Sequence, residues 1–394
     1  MADSYIIAGA TIVLADKLLE AGVLVVRDDR IEHIGAESLK SYLAAHPGDR
    51  NLALIEGADS FVAPRLVEMH IHGAFGIGFE RISGAGDLIA MAEKLEARGV
   101  GCFVPTILWD EGAVTRLVEA LEASNLPVSV VPGIYIEGPF VNPERRGGIG
   151  LGQIVDPDPD LCRKIIATAR GRLKVMALAP ELPGIKALYP ILEEAGVLVS
   201  LGHSGAHADV ALPPRFSVTH LFNAMSGLDH RGGGLVNIAL AGIPSWTELN
   251  ADGIHVNPSC MKVASLCIPP ERLILTSDAV ISAGLPYGDF SYFGKPVASG
   301  TDGVRYKGPG TLIGSNRLGM EIVKSFIAAT GASLPAAIQS MGAAPSKALR
   351  LPSGEGGASI EIGAVADIFI WDASLSSCRR PGLSLNTPAK GVQR

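Results

Sequence analysis

The chain has 394 residues, a net charge of −7, 47% hydrophobic and 19% charged residues, and 47 glycines. This composition is typical of an α/β enzyme with many tight turns and excludes a disordered chain. The acidic balance and the absence of long basic runs argue against nucleic acid as a partner. We recognise neither a targeting segment nor an apolar run of the roughly 18 residues that a membrane span requires, so we expect a cytoplasmic protein without a membrane partner.

The two ends of the chain share one pattern of short apolar strands. Residues 5–35 alternate such strands with turn residues, which predicts a small β meander. Residues 358–372, near the other end, also contain short apolar strands separated by turn residues. We therefore expect residues 1–60 plus 355–394 to form one β-sandwich domain from both chain termini.

The middle of the chain, residues 61–354, alternates apolar strands with helical stretches. For instance, residues 87–98 place apolar side chains at helical spacing, and residues 99–106 follow as an extended apolar run. Repeated units of this kind predict a parallel sheet, and their number favours a closed (β/α)8 TIM-type barrel over an open doubly wound sheet. The fold class is thus α/β, and we expect this barrel to be the catalytic domain.

Six residues with metal-binding or acid–base side chains stand at the ends of these apolar runs. His70 and His72 are two positions apart, so on a strand both imidazoles point the same way. The others each follow a further apolar run: Glu137, His203, His220 and Asp278. The carboxyl ends of barrel strands form the usual active-site face, so the set predicts one shared site.

Imidazole and carboxylate groups together suit a divalent metal. Neutral imidazole is a common ligand of zinc and iron, and a carboxylate can bridge two ions, so one or two ions fit this set. Zn is our first choice, with Fe, Mn or Co as alternatives. Asp278 beside a metal can act as general base and acid. Taken singly, the histidines are also compatible with ordinary core positions and Asp278 with a helix N-cap.

Several motifs together resemble one family. They are His-x-His-Gly at 70–73, Glu-Gly-Pro-Phe at 137–140, Gly-His-Ser at 202–204, His-Leu-Phe-Asn-Ala-Met at 220–225, Asp-Gly-Ile-His-Val at 252–256 and Ser-Asp-Ala at 277–279. The chain resembles, over nearly its whole length, the N-acetylglucosamine-6-phosphate deacetylases of the amidohydrolase superfamily. The motif at 220–225 is specific to that family, whereas His-x-His indicates only the superfamily.

The resemblance implies a role for each candidate residue. Glu137, His203 and His220 would bind the main metal ion, and His70 and His72 would hold a second ion with Glu137 as the bridge. Asp278 would be the catalytic general base and acid. For the substrate, the resemblance implies phosphate contacts from backbone groups at Asn223 and Ala224 and, across a homodimer interface, from Arg231. His255 would contact the phosphate or sugar hydroxyls.

The sequence departs from the family pattern around the expected substrate. Ile149 stands where the family usually has a histidine that contacts the sugar, and Arg231 is followed by three glycines where the family has Glu-Pro-Gly. Either Gln153 or His207 replaces the histidine, or the pocket accepts a different group. Our leading hypothesis is a deacetylase of N-acetylated amino-sugar phosphates. The alternatives are an amidohydrolase for another acylated amine or cyclic amide, and a non-catalytic sugar-phosphate binder.

Overall fold

The computed structural model describes residues 3–207, 209–351 and 358–381. The described residues divide into two compact units, one within residues 3–65 and 358–381 and the other within residues 66–351. Both chain ends contribute to the first unit. No helix in the described ranges is both long enough and apolar enough to cross a membrane.

The β-strands are numbered here in chain order. Those up to the middle of the chain are β1 (Tyr5–Val13), β2 (Leu18–Arg27), β3 (Arg30–Gly35), β4 (Ala53–Glu56), β5 (Ser60–Pro64), β6 (Leu66–Ile71), β7 (Gly73–Ala74), β8 (Ile77–Gly78), β9 (Val100–Leu108), β10 (Ile134–Glu137) and β11 (Leu173–Leu178). The later ones are β12 (Leu198–Leu201), β13 (Phe216–Val218), β14 (Trp246–Asn250), β15 (Leu273–Thr276), β16 (Gly288–Tyr292), β17 (Lys295–Gly300), β18 (Gly303–Tyr306), β19 (Leu312–Gly314), β20 (Ile368–Asp372) and β21 (Cys378–Arg379).

The α-helices lie mainly in the second unit. Their bounds are α1 (Leu39–Ala45), α2 (Ala85–Glu96), α3 (Glu111–Ser124), α4 (Pro159–Thr168), α5 (Leu188–Glu194), α6 (Leu235–Leu240), α7 (Pro258–Cys267), α8 (Met320–Thr330), α9 (Leu334–Met341) and α10 (Ala343–Ala348). Local sequence explains several helix starts. The Asp110 side chain accepts a hydrogen bond from the Ala113 amide at the start of α3, and Asn257 caps α7, whose first residue is Pro258.

The first unit contains one hydrogen-bonded sheet of seven strands in the order β21-β20-β5-β1-β2-β3, with β4 also paired to β1. Alternate residues of β1 and β2 enter two different apolar clusters. Ile7 and Leu24 pack with side chains from β5 and β20, while Ile6 and Val23 pack with Tyr42 of α1. Both faces of these strands are therefore buried. A sandwich of two separate sheets stays a prediction.

The second unit is built around eight parallel strands in the order β15-β14-β13-β12-β11-β10-β9-β6. The first and last strands also meet, because the Asp278 amide donates to the His70 carbonyl at 3.0 Å and the His72 amide to the Ala279 carbonyl at 2.8 Å. This nearly closed parallel barrel agrees with the expected TIM-type architecture. The expected helix at 87–98 is α2, and the expected strand at 99–106 is β9.

Among the departures of the barrel from a regular strand–helix alternation, two follow strands β12 and β15. Between β12 and β13, residues 202–207 and 209–215 contain no helix, and this segment includes Pro213 and Pro214. After β15 the chain forms the antiparallel meander β16-β17-β18-β19 before the helical pattern resumes with α8. Both irregular segments lie after the carboxyl ends of barrel strands, where active-site loops of this fold occur.

Candidate active site

The structure brings the six candidate metal and acid–base residues together at one end of the barrel. His70 lies within β6 and Glu137 is the last residue of β10. The others follow strand ends within two residues: His72 after β6, His203 after β12, His220 after β13 and Asp278 after β15. All six side chains are largely buried, and Asp278 is the most exposed at 14%.

The backbone at three of these residues adopts left-handed conformations, which residues other than glycine rarely adopt. The φ angles are 47° at His203, 28° at His220 and 50° at Asp278. Such conformations cost of order 1–3 kcal/mol each and persist only where the surroundings hold them. Their concentration at strand ends around one cluster is typical of a functional site.

Glu137 lies at the centre of the cluster. Its Oε1 atom is 3.0 Å from His203 Nε2, 3.2 Å from His220 Nε2 and 3.5 Å from His70 Nε2. Its Oε2 atom is 3.3 Å from His72 Nε2. One carboxylate oxygen thus faces the His203–His220 pair, while the other faces His72, which is the arrangement of a bridging ligand.

Burial alone would raise the pKa of Glu137. The imidazoles of His203, His220 and His72 outweigh that effect and hold the pKa well below its ordinary value. Glu137 is therefore a carboxylate, the form in which it binds a cation.

The donor set fits a divalent metal. Two groups have ligand atoms within 4.8 Å of one another, namely His70, His72 and Glu137, and Glu137, His203 and His220. His70 Nε2 is buried and has no hydrogen-bond partner among the described residues. Buried polar atoms are normally paired, so an unpaired nitrogen that faces two carboxylates fits the role of a cation ligand.

Asp278 lies on the His70–His72 side of the cluster. Its Oδ1 atom is 3.7 Å from His70 Nε2 and 3.6 Å from His72 Nε2. Its backbone is fixed on both sides, since its amide donates to the His70 carbonyl and its carbonyl accepts from the Ser315 amide. The carboxylate therefore stands beside the metal-binding groups while it still reaches the open cavity.

The cluster forms the floor of an open cavity of about 150 Å³. Asn223, Ala224 and His255 line this cavity, as the sequence analysis expects of substrate-binding residues. His255 Nδ1 is 2.7 Å from a carboxylate oxygen of Asp252, which orients the ring. Arg231 is exposed and does not line the cavity of its own chain.

Ile149 also faces the cavity, where it is part of an apolar wall. It is 3% exposed and packs with Leu108 and Val141. Leu108 is the register partner of Glu137 on the neighbouring strand, so this wall begins beside the metal-binding groups. Gln153 and His207, the proposed substitutes for a histidine here, are not among the residues that line the cavity.

Sequence reasoning missed the residues that the β16–β19 meander brings to the cavity, namely Tyr292, Leu312 and Ile313. No local pattern in these short strands marks a cavity-lining position. It also missed Glu181, whose carboxylate accepts hydrogen bonds from Asn142 Nδ2, Ser204 Oγ and the Gly205 amide. Glu181 thereby joins the loops that follow β10 and β12 around His203.

Glu248 is a further residue that the sequence analysis overlooked. It lies in β14, is fully buried, and has Oε2 2.9 Å from His70 Nδ1. A signal did exist in this case, because a charged residue inside an otherwise buried barrel strand is costly unless it is paired. The sequence could not identify the partner.

The chain belongs to the amidohydrolase family, because it matches that family over residues 61–393. A Bacillus subtilis N-acetylglucosamine-6-phosphate deacetylase is 32% identical over 308 residues, which cover 75% of this chain and 76% of the relative. An Escherichia coli O157:H7 N-acetylgalactosamine-6-phosphate deacetylase is 29% identical over 334 residues, covering 82% and 87%.

A solved structure of a deacetylase has a similar fold. It is a mutant N-acetyl-D-glucosamine-6-phosphate deacetylase from Mycobacterium smegmatis in complex with N-acetyl-D-glucosamine 6-phosphate. The two chains align with a TM-score of 0.81 and 25% identity over 95% of this chain and 97% of that one. The resemblance stated from the motifs is thereby confirmed.

Proposed function

We propose that the protein is a metal-dependent hydrolase that removes the acetyl group from an N-acetylated amino-sugar phosphate and releases acetate and the amino-sugar phosphate. The observation that carries this proposal is the Glu137-centred cluster, with Asp278 beside it, on the floor of an open cavity. The similarity to deacetylases of N-acetylglucosamine and N-acetylgalactosamine 6-phosphate supports the same reaction.

The proposed metal ligands divide into two groups that share Glu137. His203 and His220 would complete the main site, and His70 and His72 a second site, so one or two ions per subunit fit. We favour Zn, with Fe, Mn or Co as alternatives, because all accept imidazole and carboxylate ligands. When bound, such an ion supplies Lewis acidity toward the amide carbonyl and activates water.

Asp278 is the proposed general base and acid. Its carboxylate takes a proton from the attacking water and later delivers that proton to the leaving amine nitrogen. The position suits both transfers, because the side chain reaches the cavity while two backbone hydrogen bonds hold the residue in place. The retained carboxylate also favours an enzyme over a non-catalytic sugar-phosphate binder.

We assign the phosphate end of the substrate to the part of the cavity lined by Asn223, Ala224 and His255. Asn223 and Ala224 lie in the loop after β13, and His255 in the loop after β14. The family resemblance assigns Arg231 to a phosphate in a neighbouring subunit, and its exposed position outside the cavity of its own chain is compatible with that role, so we propose a homodimer. We place the enzyme in the cytoplasm, and we propose that the terminal unit is a separate β-sandwich domain.

The apolar wall at Ile149 bears on which substrate is used. An isoleucine side chain cannot hydrogen-bond to a sugar hydroxyl, and a buried hydroxyl without a partner costs about 1–3 kcal/mol.

A direct test of the proposed function is to measure acetate release from the 6-phosphates of N-acetylglucosamine, N-acetylgalactosamine and N-acetylmannosamine. Failure of the metal-loaded protein with all three would refute the substrate class and favour another acylated amine.

A further inference from the structure

Glu248 belongs to a buried polar network beneath the metal-binding groups. Its Oε2 atom is 2.9 Å from His70 Nδ1, while its Oε1 atom accepts longer hydrogen bonds from Tyr135 Oη at 3.3 Å and Ser200 Oγ at 3.4 Å. Thr219 Oγ1 links those two hydroxyl groups, at 3.0 Å from Tyr135 and 2.7 Å from Ser200. The shortest contact of the carboxylate is therefore the one to His70.

A carboxylate as deeply buried as Glu248 needs a positive charge nearby, because neutral hydroxyl groups compensate little of its lost hydration. His70 is the residue that connects Glu248 to a place where such a charge can bind. Nδ1 of this ring is 2.9 Å from Glu248, and because a carboxylate only accepts hydrogen bonds, we assign the proton to Nδ1. Nε2 on the other side points toward Glu137 and Asp278 without a hydrogen-bond partner among the described residues. A divalent ion on Nε2 would satisfy both groups.

The Nδ1 atoms of the His203–His220 pair have different surroundings from that of His70. His203 Nδ1 is 3.1 Å from the backbone carbonyl of Arg145, a neutral acceptor. His220 Nδ1 is buried and lacks a hydrogen-bond partner within the described chain. Of these three rings, only His70 contacts a carboxylate through Nδ1, so any effect of Glu248 falls on the His70–His72–Glu137 group rather than on the His203–His220 pair.

We propose that Glu248 is a positioning residue that fixes the tautomer and orientation of His70 and thereby sets the affinity of the second divalent ion. A carboxylate on the far nitrogen of a metal-binding imidazole increases its strength as a donor, and loss of such a partner typically lowers metal affinity 10- to 100-fold. The inference rests on the metal centre of the proposed function, but not on the identity of the substrate.

The test is metal stoichiometry of the full chain, measured without substrate. Metal-stripped wild type and Glu248→Gln are titrated with Zn²⁺ by calorimetry, and bound zinc is counted by elemental analysis after gel filtration. The wild type should bind two ions per chain. Glu248→Gln should bind one ion with unchanged affinity and a second about 10- to 100-fold more weakly.

Tyr135→Phe is the matched control, because it removes a neutral member of the same network and leaves the carboxylate–imidazole pair intact. It should bind both ions as the wild type does. Wild-type affinity for both ions in Glu248→Gln, or a single ion in the wild type, would overturn the proposal. Two bound ions without acetate release would instead refute the proposed function alone.

If Glu248→Gln does not fold, judged by circular dichroism, the wild type itself still provides the test. A crystal loaded with Zn²⁺ and measured at the zinc absorption edge should show an anomalous peak beside His70 Nε2, with Nδ1 still bonded to Glu248. A zinc-loaded structure in which no ion contacts His70 would overturn the proposal.

Discussion

Replacement of Asp278 by asparagine should abolish most of the catalysis without disturbing the metal centre. The substitution preserves the shape of the side chain, and the backbone of residue 278 is held by hydrogen bonds with His70 and Ser315 that do not involve the side chain. Only the capacity to accept and return a proton is lost. A positioned general acid–base group contributes about 10²- to 10⁴-fold.

Asp278 is assigned both proton transfers, so we expect the upper part of that range. A loss of about 10³- to 10⁴-fold in kcat corresponds to about 4–5.5 kcal/mol at 1.36 kcal/mol per factor of ten. The assay is acetate release at saturating substrate, with bound metal counted in the same samples. A loss below about 10-fold with full metal content would refute the assignment of Asp278 as the proton carrier.

Three further predictions concern the cavity and its supports. Arg231→Ala should raise KM for a phosphorylated substrate about 10- to 100-fold, the effect of a lost charge-assisted hydrogen bond of about 1.5–3 kcal/mol; an unchanged KM would exclude a phosphate contact. Ile149→His should change the ratio of kcat/KM between N-acetylglucosamine and N-acetylgalactosamine 6-phosphates, whereas Ile149→Leu should not; equal ratios in all three proteins would contradict a role in specificity. Glu181→Gln should lower the free energy of unfolding by about 2 kcal/mol, because three donors lose a charged acceptor; denaturant unfolding measures this, and a change below about 0.5 kcal/mol would show that the loops do not depend on Glu181.

Much of the site could be predicted because the chemistry of a barrel is concentrated at strand ends. Glu137 is the last residue of a recognisable apolar strand, and His203 and His220 each lie two residues after one. Parallel strands then bring residues distant in sequence to one face without further information. Periodicity similarly predicted α2 and β9 to within about two residues.

The remainder could not be predicted because it depends on contacts between distant segments. Ile149 was recognised as unusual, but its packing against Leu108 and Val141 required the fold. Tyr292 reaches the cavity only because the β16–β19 meander is inserted after β15, a placement that strand patterns do not specify. The partner of Glu248 was hidden for the same reason, since His70 is 178 positions away.

The central claim is that this cluster, loaded with a divalent metal, hydrolyses the amide of an N-acetylated amino-sugar phosphate. The most direct measurement is acetate release from N-acetylglucosamine 6-phosphate and its hexosamine isomers before chelation, after chelation and after readdition of Zn²⁺. We predict activity that chelation removes and Zn²⁺ restores, with the amine product formed in equal amount to acetate. Acetate release that survives complete metal removal, or none from any of these phosphates with metal bound, would contradict the claim.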